Sequence, residues 1–139
     1  MTIIQQTFSF NTAPRKAHEI TKDVQGLVIG SGIEKGLCHL FIQHTSASLM
    51  LCENADPDVR TDLETFMQSI APDGDPMFCH TTEGADDMPA HIRTLITNVS
   101  LTIPVSSSRC QLGTWQGIYL WEHRTASHCR KIIVTLHGD

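Results

Sequence analysis

One apolar run constrains the fold more than any other part of the chain. Residues Gly36 to His44, with the sequence GLCHLFIQH, are largely apolar at both odd and even positions. A strand that is solvated on one face alternates apolar and polar residues, whereas a central strand covered on both faces is apolar throughout. The run therefore predicts a central strand that lies between two layers. Cys38, Leu40, Ile42 and His44 are expected to point the same way, with His44 at the strand end.

The rest of the chain is predicted to alternate between further strands and three helices. Strand patterns cover Thr2 to Phe10, Ser48 to Glu53, Val99 to Val105, Thr114 to His123 and Cys129 to His137. Helix signals begin behind Thr21 or Lys22, at Asp56-Pro57, and at Asp86 or Asp87. A strand-rich chain with three separated helices predicts a single α+β domain over residues 1–139, with a largely antiparallel sheet.

Finer patterns predict which faces are buried and where the chain turns. The helix after Asp56 carries an apolar face of Val59, Leu63, Phe66, Met67 and Ile70, and the helix after Asp87 one of Met88, Ile92, Leu95 and Ile96. We expect a loop from Ala71 to Asp87, interrupted by a short extended piece at Met77 to His80. Hairpins are predicted between Thr2–Phe10 and Ala17–Thr21, and at the Arg124–His128 turn that joins the last two strands.

Charge, hydropathy and cysteine usage exclude several classes of protein. Ten Lys and Arg oppose fifteen Asp and Glu, for a net charge of −5, and no basic run is present. Nucleic-acid binding depends on many cationic phosphate contacts, so we expect no nucleic-acid partner. No signal-peptide pattern or apolar span of membrane length occurs, which predicts a cytoplasmic protein without membrane contact. The five cysteines are scattered without any C-x-x-C pair and are interpreted as reduced thiols.

Histidine is the unusual component of this composition, with eight residues in a small acidic chain. A transition-metal site needs imidazoles or carboxylates that converge in space, and a catalytic site commonly has three protein ligands and one open position. No contiguous metal motif is present, but His44, His80 and His91 each lie near acidic residues that are suited to orient an imidazole. The alternative is that each histidine is a surface or hydrogen-bonded core residue and that Asp86-Asp87 only caps a helix. His123 and His128 flank the Arg124–His128 turn and remain secondary candidates for a site.

A second polar cluster is the segment Gly113-Thr114-Trp115-Gln116-Gly117. The two glycines permit close backbone approach, Thr and Gln supply neutral hydrogen-bonding groups, and Trp offers a flat surface. A bulged strand with a core Trp explains the same residues equally well. The chain has no phosphate-binding glycine loop, so any phosphate contact rests on a metal and on dispersed arginines: Arg60, Arg93, Arg109, Arg124 and Arg130.

Four segments of the chain together resemble the YjbQ-type family (UPF0047), described as secondary thiamine-phosphate synthases. They are His44-Thr45-Ser46-Ala47-Ser48, Glu53-Asn54-Ala55-Asp56-Pro57, Glu83-Gly84-Ala85-Asp86-Asp87-Met88-Pro89-Ala90-His91, and Gly113-Thr114-Trp115-Gln116-Gly117. The resemblance implies an α+β domain that forms a homotrimer, with a histidine-lined pocket for a small-molecule substrate. It makes His44, His80 and His91 the leading metal ligands and Glu53, Asp87, Thr114 and Gln116 the candidate catalytic residues.

The activity that this resemblance implies joins a hydroxymethylpyrimidine diphosphate to a thiazole phosphate and releases diphosphate. Three imidazoles favour zinc, whereas diphosphate departure is usually assisted by magnesium bound to oxygen. Two alternatives fit the same residues. One is a metal-dependent hydrolase with Glu53 or Asp87 as general base, and the other is a non-catalytic metal-binding trimer.

Overall fold

Eight strands and three helices follow one another in the computed structural model, which describes residues 1–139. The strands are β1 (Thr2–Asn11), β2 (Ala17–Glu19), β3 (Lys35–Ile42), β4 (Ala47–Glu53), β5 (Ser100–Ser106), β6 (Arg109–Cys110), β7 (Gln116–Glu122) and β8 (Cys129–Gly138). The helices are α1 (Thr21–Ser31), α2 (Pro57–Ile70) and α3 (Asp87–Ile96). None of the three is long and apolar enough to cross a membrane.

The strands form two antiparallel sheets. The larger has the order β1-β8-β3-β5-β6, and the smaller has the order β2-β7-β4. The predicted class, a single α+β domain with antiparallel sheets and three helices, is therefore confirmed.

The core lies on the inner face of the larger sheet. The predicted central strand occupies β3, between β8 and β5, and its residues Cys38, Leu40 and Ile42 are almost completely buried. They pack with Val24 and Val28 of α1 and with inward residues of the smaller sheet. One continuous apolar cluster thus joins the two sheets and the first helix.

The outer face of the same strand differs from its prediction. Leu37 and Phe41 are 48% and 44% exposed, so β3 is not covered on both faces within one chain. The smaller sheet and α1 pack only against the inner face, which leaves alternate residues of β3 open. His44 lies two residues beyond the end of this strand.

Both predicted hairpins are wrong. β1 pairs with β8 and β2 pairs with β7, so the first two strands lie in different sheets. β7 and β8 also belong to different sheets, and residues 123–128 carry the chain from one to the other. The predicted extended piece at Met77–His80 is a turn instead, because the Phe78 N–H donates to the Asp75 carbonyl and the Asp75 carboxylate accepts from the Met77 N–H.

The helices begin where predicted, but they bury different residues. Asp56 caps α2 by accepting from the Asp58 N–H at 2.9 Å, as its sequence indicates. Of the five apolar residues predicted to face the core from α2, Met67 alone is fully buried, and Phe66 and Ile70 are exposed. On α3, Ala90, Arg93 and Thr94 are buried while Leu95 and Ile96 are exposed. The buried Arg93 pairs with Glu64 of α2, so an ion pair instead of an apolar stripe joins these two helices.

Candidate metal centre

Three potential metal ligands converge at the start of α3. Asp87 and His91 lie one helical turn apart on the same face, and His80 comes from the loop that precedes the helix. His80 Nε2 is 2.7 Å from Asp87 Oδ2, and His91 Nε2 is 3.1 Å from the same oxygen. One ligand atom from each of the three residues lies within 4.8 Å of the others. Two imidazoles and a carboxylate form a donor set that fits zinc or another borderline divalent ion.

The hydrogen bonding of His91 determines which ring nitrogen faces the cluster. Its Nδ1 is 3.0 Å from the carbonyl oxygen of Thr45, and a carbonyl only accepts, so Nδ1 carries the proton. Nε2 is therefore the ring nitrogen that faces the Asp87 carboxylate. It can donate to that carboxylate when the ring is an imidazolium, or it can share a divalent metal ion with Asp87 and His80.

Arginine 124 fixes the carboxylate of this cluster. Its Nη1 lies 3.0 Å from Asp87 Oδ1, and its Nε donates to Asp86 Oδ2 at 2.8 Å. Burial by itself would raise the pKa of Asp87, but the hydrogen bond from His80 and the charge of Arg124 hold that pKa below its ordinary value. The pKa of Asp86 is lowered further, against the effect of burial, by its hydrogen bonds from Arg124 and Thr125. Asp86 thus anchors Arg124 instead of capping the helix, since its side chain makes no cap hydrogen bond.

His44 is not part of this cluster. Its Nε2 accepts the backbone N–H of Lys131 at 2.8 Å, and its Nδ1 lies 3.4 Å from Arg130 Nη1. Burial and the charge of Arg130 lower its pKa. Within one chain, His80 and His91 therefore lie together with Asp87. His44, the third ligand predicted from the sequence, lies apart from them.

Glu53, Thr114 and Gln116 lie at the other end of the smaller sheet. Along the pairing of β4 with β7, Ala47 is opposite Glu122 and Glu53 is opposite Gln116, a separation of about 20 Å at about 3.3 Å per residue. The group formed by His80, Asp87 and His91 contacts Thr45, which lies next to Ala47 at the opposite end of this sheet. Glu53 accepts from the Asp56 N–H and Gln116 accepts from the Gly113 N–H, so both close local turns, while Thr114 is exposed. Within one chain they do not reach the metal cluster.

The residues that support the His80–Asp87–His91 group carry little signal in the sequence. Thr45 acts through its carbonyl group, which leaves no side-chain signal, and Arg124 appears only as one of several dispersed arginines. The pair Asp86-Asp87 near His91 is the one local signal. Two adjacent carboxylates that face different ways can bind an arginine and a metal ion separately.

The comparisons with known proteins agree on one family. Residues 6–139 match the family model described as "UPF0047 protein YjbQ-like". The chain is 46% identical over 135 residues to UPF0047 protein sll1880 of Synechocystis, covering 97% of this chain and 92% of that protein. It is 48% identical over 136 residues to UPF0047 protein YjbQ of Salmonella typhimurium, covering 97% and 98%.

Solved structures have the same fold. A YjbQ/UPF0047 family protein of Clostridium acetobutylicum superposes with a TM-score of 0.86 at 31% identity, over 95% of this chain and 99% of that chain. The conserved hypothetical protein TT1486 of Thermus thermophilus superposes with a TM-score of 0.85 at 31% identity and the same coverage. The chain therefore belongs to the YjbQ-like UPF0047 family.

Proposed function

We propose that this protein is a metal-dependent enzyme that holds one divalent cation, zinc in the first instance, through His80, Asp87 and His91. One observation carries the proposal: two imidazole nitrogens and a carboxylate oxygen lie within 4.8 Å of one another. The Nδ1 hydrogen bond from His91 to Thr45 supports it, because it leaves the Nε2 lone pair directed at the cluster. Magnesium is the less suitable ion, since it prefers oxygen ligands over imidazole nitrogen.

The reaction we propose joins a hydroxymethylpyrimidine diphosphate to a thiazole phosphate, as the resemblance to secondary thiamine-phosphate synthases implies. The thiazole nitrogen forms a bond to the pyrimidine methylene carbon, and the bond from that carbon to oxygen breaks with release of diphosphate. The cation, when bound, stabilises the negative charge that develops on the departing diphosphate. Arg124 keeps Asp87 ionised and fixed, and Thr45 fixes the ring of His91. His80 is 43% exposed, so substrate has access to the cluster from solvent.

A metal-dependent hydrolase is the second candidate. It is favoured by the same exposure of His80 and by the count of three protein ligands, which leaves coordination positions free. It is opposed by the positions of the two expected general bases. Asp87 is one of the ligands, and Glu53 lies at the far end of the smaller sheet.

A homotrimer is proposed as the assembled form, and the cytosol as its location. Ile3, Leu37 and Phe41 share the open outer face of the larger sheet, and all three are exposed. In a trimer, a neighbouring subunit covers this face. It also offers a route by which Glu53, Thr114 and Gln116 of one subunit reach the metal cluster of another. Native mass spectrometry tests the assembly: we expect three chains per particle, and a monomer at micromolar concentration contradicts the proposal.

The cytosolic location is supported by five unpaired cysteine thiols.

The synthase assignment is tested by supplying purified, zinc-loaded protein with both precursors and measuring thiamine phosphate by chromatography. We expect product with the wild type and with His18→Ala, which alters a histidine on β2 outside the His80–Asp87–His91 group. His80→Ala and His91→Ala are expected to lose at least about a hundredfold in rate. Equal rates in all four proteins contradict the proposal. Product absent throughout, with metal-dependent cleavage of phosphate esters, amides or lactones, identifies the hydrolase. Metal binding without turnover of any of these substrates identifies a metal-binding trimer.

A further inference from the structure

The ring of His44 is held in one tautomer by the backbone of β8. The Lys131 N–H donates to His44 Nε2 at 2.8 Å, so that nitrogen presents its lone pair and the proton of a neutral ring lies on Nδ1. Burial and the nearby charge of Arg130 lower the pKa of His44, which favours this neutral form. His44 Nδ1 is therefore a hydrogen-bond donor.

The group that faces His44 Nδ1 is also a donor. Arg130 is 4% exposed, and its Nε and Nη2 pair with the buried carboxylate of Glu122. Its remaining nitrogen, Nη1, lies 3.4 Å from His44 Nδ1. A guanidinium has no lone pair to offer, so two N–H groups meet without an acceptor between them. Buried and half-buried donors are normally satisfied, and an acceptor from outside the chain would satisfy both.

The space beside these two donors is a cavity with further donors in its wall. It has a volume of about 530 Å³, is open to solvent, and is lined by His44, Arg130, Thr45, Ser46 and Gln43 among others. Ser46 Oγ accepts from Arg130 Nη2 at 3.0 Å, which leaves the hydroxyl hydrogen of Ser46 free. The Thr45 side chain is exposed beside it. Imidazole, guanidinium and hydroxyl donors thus reach one cavity, and only the guanidinium carries charge.

We propose that this cavity binds a phosphate group, with His44 Nδ1 and Arg130 Nη1 donating to its oxygens. A phosphate offers acceptors in several directions, which matches donors that come from the start of β8 and from the loop after β3 better than the two coplanar oxygens of a carboxylate. The inference deepens the proposed function and rests on it for the identity of the ligand, since both substrates of that reaction carry phosphate.

The phosphate site and the metal cluster are joined through a single residue. Thr45 follows His44 in the chain, and its carbonyl oxygen accepts from His91 Nδ1 at 3.0 Å. A phosphate held at His44 therefore lies beside Thr45, whose carbonyl group orients the ring of His91. The role of His44 becomes anion binding instead of metal ligation.

The test is isothermal titration calorimetry of the full chain with inorganic phosphate, after chelator treatment so that no metal contributes. His44→Gln is the informative variant, because its amide oxygen can still accept the Lys131 N–H while the Nδ1 donor is lost. We expect phosphate binding to be weakened at least about tenfold by His44→Gln, as for loss of one hydrogen bond to a charged group. His18→Gln makes the same chemical change on β2, where the His18 ring nitrogen Nε2 accepts the backbone N–H of Ala13, and is expected to bind phosphate like the wild type. Equal affinity in all three proteins, or no phosphate binding by the wild type at millimolar concentration, overturns the inference.

A second measurement needs no variant. Nitrogen-15 NMR of the wild type is expected to find the proton of His44 on Nδ1, and a proton on Nε2 overturns the inference. The proposed function fails separately, because His44→Gln is expected to keep its zinc whereas His80→Ala and His91→Ala lose theirs. Loss of phosphate binding with zinc retained supports the phosphate site even if no thiamine phosphate is formed.

Discussion

His123 is expected to make the protein sensitive to mild acid. It is completely buried, its Nε2 is 2.8 Å from Ser48 Oγ, and its Nδ1 has no hydrogen-bond partner within the chain. Burial, and after it the charge of Arg93, lower the pKa of His123 from 6.5 to about 3. The folded protein therefore keeps this ring neutral at pH values where the unfolded chain protonates it.

The direction and size of the effect follow from that difference in pKa. Between pH 6.5 and about pH 3 the unfolded chain binds one more proton than the folded chain at this residue, so stability falls as the pH falls. One pKa unit corresponds to about 1.4 kcal/mol, and integration from pH 7.5 to pH 5.0 gives a loss of about 2 kcal/mol from His123 alone. The buried carboxylate Glu122 contributes little in this window. Its pKa is lowered in the folded state, so the stability it provides is lost mainly below its ordinary value of 4.5.

Urea unfolding of chelator-treated protein at pH 7.5 and pH 5.0 measures the effect. In His123→Gln the amide can still bond to Ser48 but does not titrate, so this variant is expected to lose about 2 kcal/mol less than the wild type over the same interval. His137→Gln, the same change at an exposed position of β8, is expected to follow the wild type. If the wild type and His123→Gln lose equal stability between the two pH values, the buried neutral histidine is refuted.

Three further predictions concern single side chains. Arg93→Met removes the buried partner of Glu64 and is expected to cost about 2 to 4 kcal/mol of unfolding free energy in urea titrations, and a cost under about 0.5 kcal/mol contradicts the importance of this ion pair. Asp56→Ala removes the cap of α2 and is expected to cost about 1 kcal/mol by the same assay, whereas unchanged stability speaks against the cap. Arg124→Met leaves Asp87 without its cationic partner and is expected to weaken zinc binding about 10- to 100-fold in competition with a chromogenic chelator, while unaltered affinity excludes a supporting role for Arg124.

The sequence predicts the elements of this fold better than their partners. Periodicity located β3 through Cys38, Leu40 and Ile42, and the capping residue Asp56 located the start of α2, because both signals are local. Strand pairing is not local. The final strand pairs with the first, so that Thr2 lies opposite Gly138, and no short-range pattern distinguishes this arrangement from a hairpin.

The convergence of His80, Asp87 and His91 could be predicted in part for the same reason. Asp87 and His91 are one helical turn apart, and His80 lies in the adjoining loop, so their proximity follows from local sequence. His44 lies in the loop after β3, and its nearest partners are on β8, more than eighty residues away. Its chemistry depends on which N–H group meets its ring, and that is decided by tertiary structure.

We propose that His80, Asp87 and His91 hold one divalent cation. The most direct test is the zinc content of dialysed protein by mass spectrometry, with affinities measured by chelator competition. We predict one zinc per chain in the wild type and in His44→Gln, and affinity weakened at least about a hundredfold in His80→Ala, Asp87→Asn and His91→Ala. Zinc bound with unchanged stoichiometry and affinity in those three variants, or lost in His44→Gln, contradicts the account.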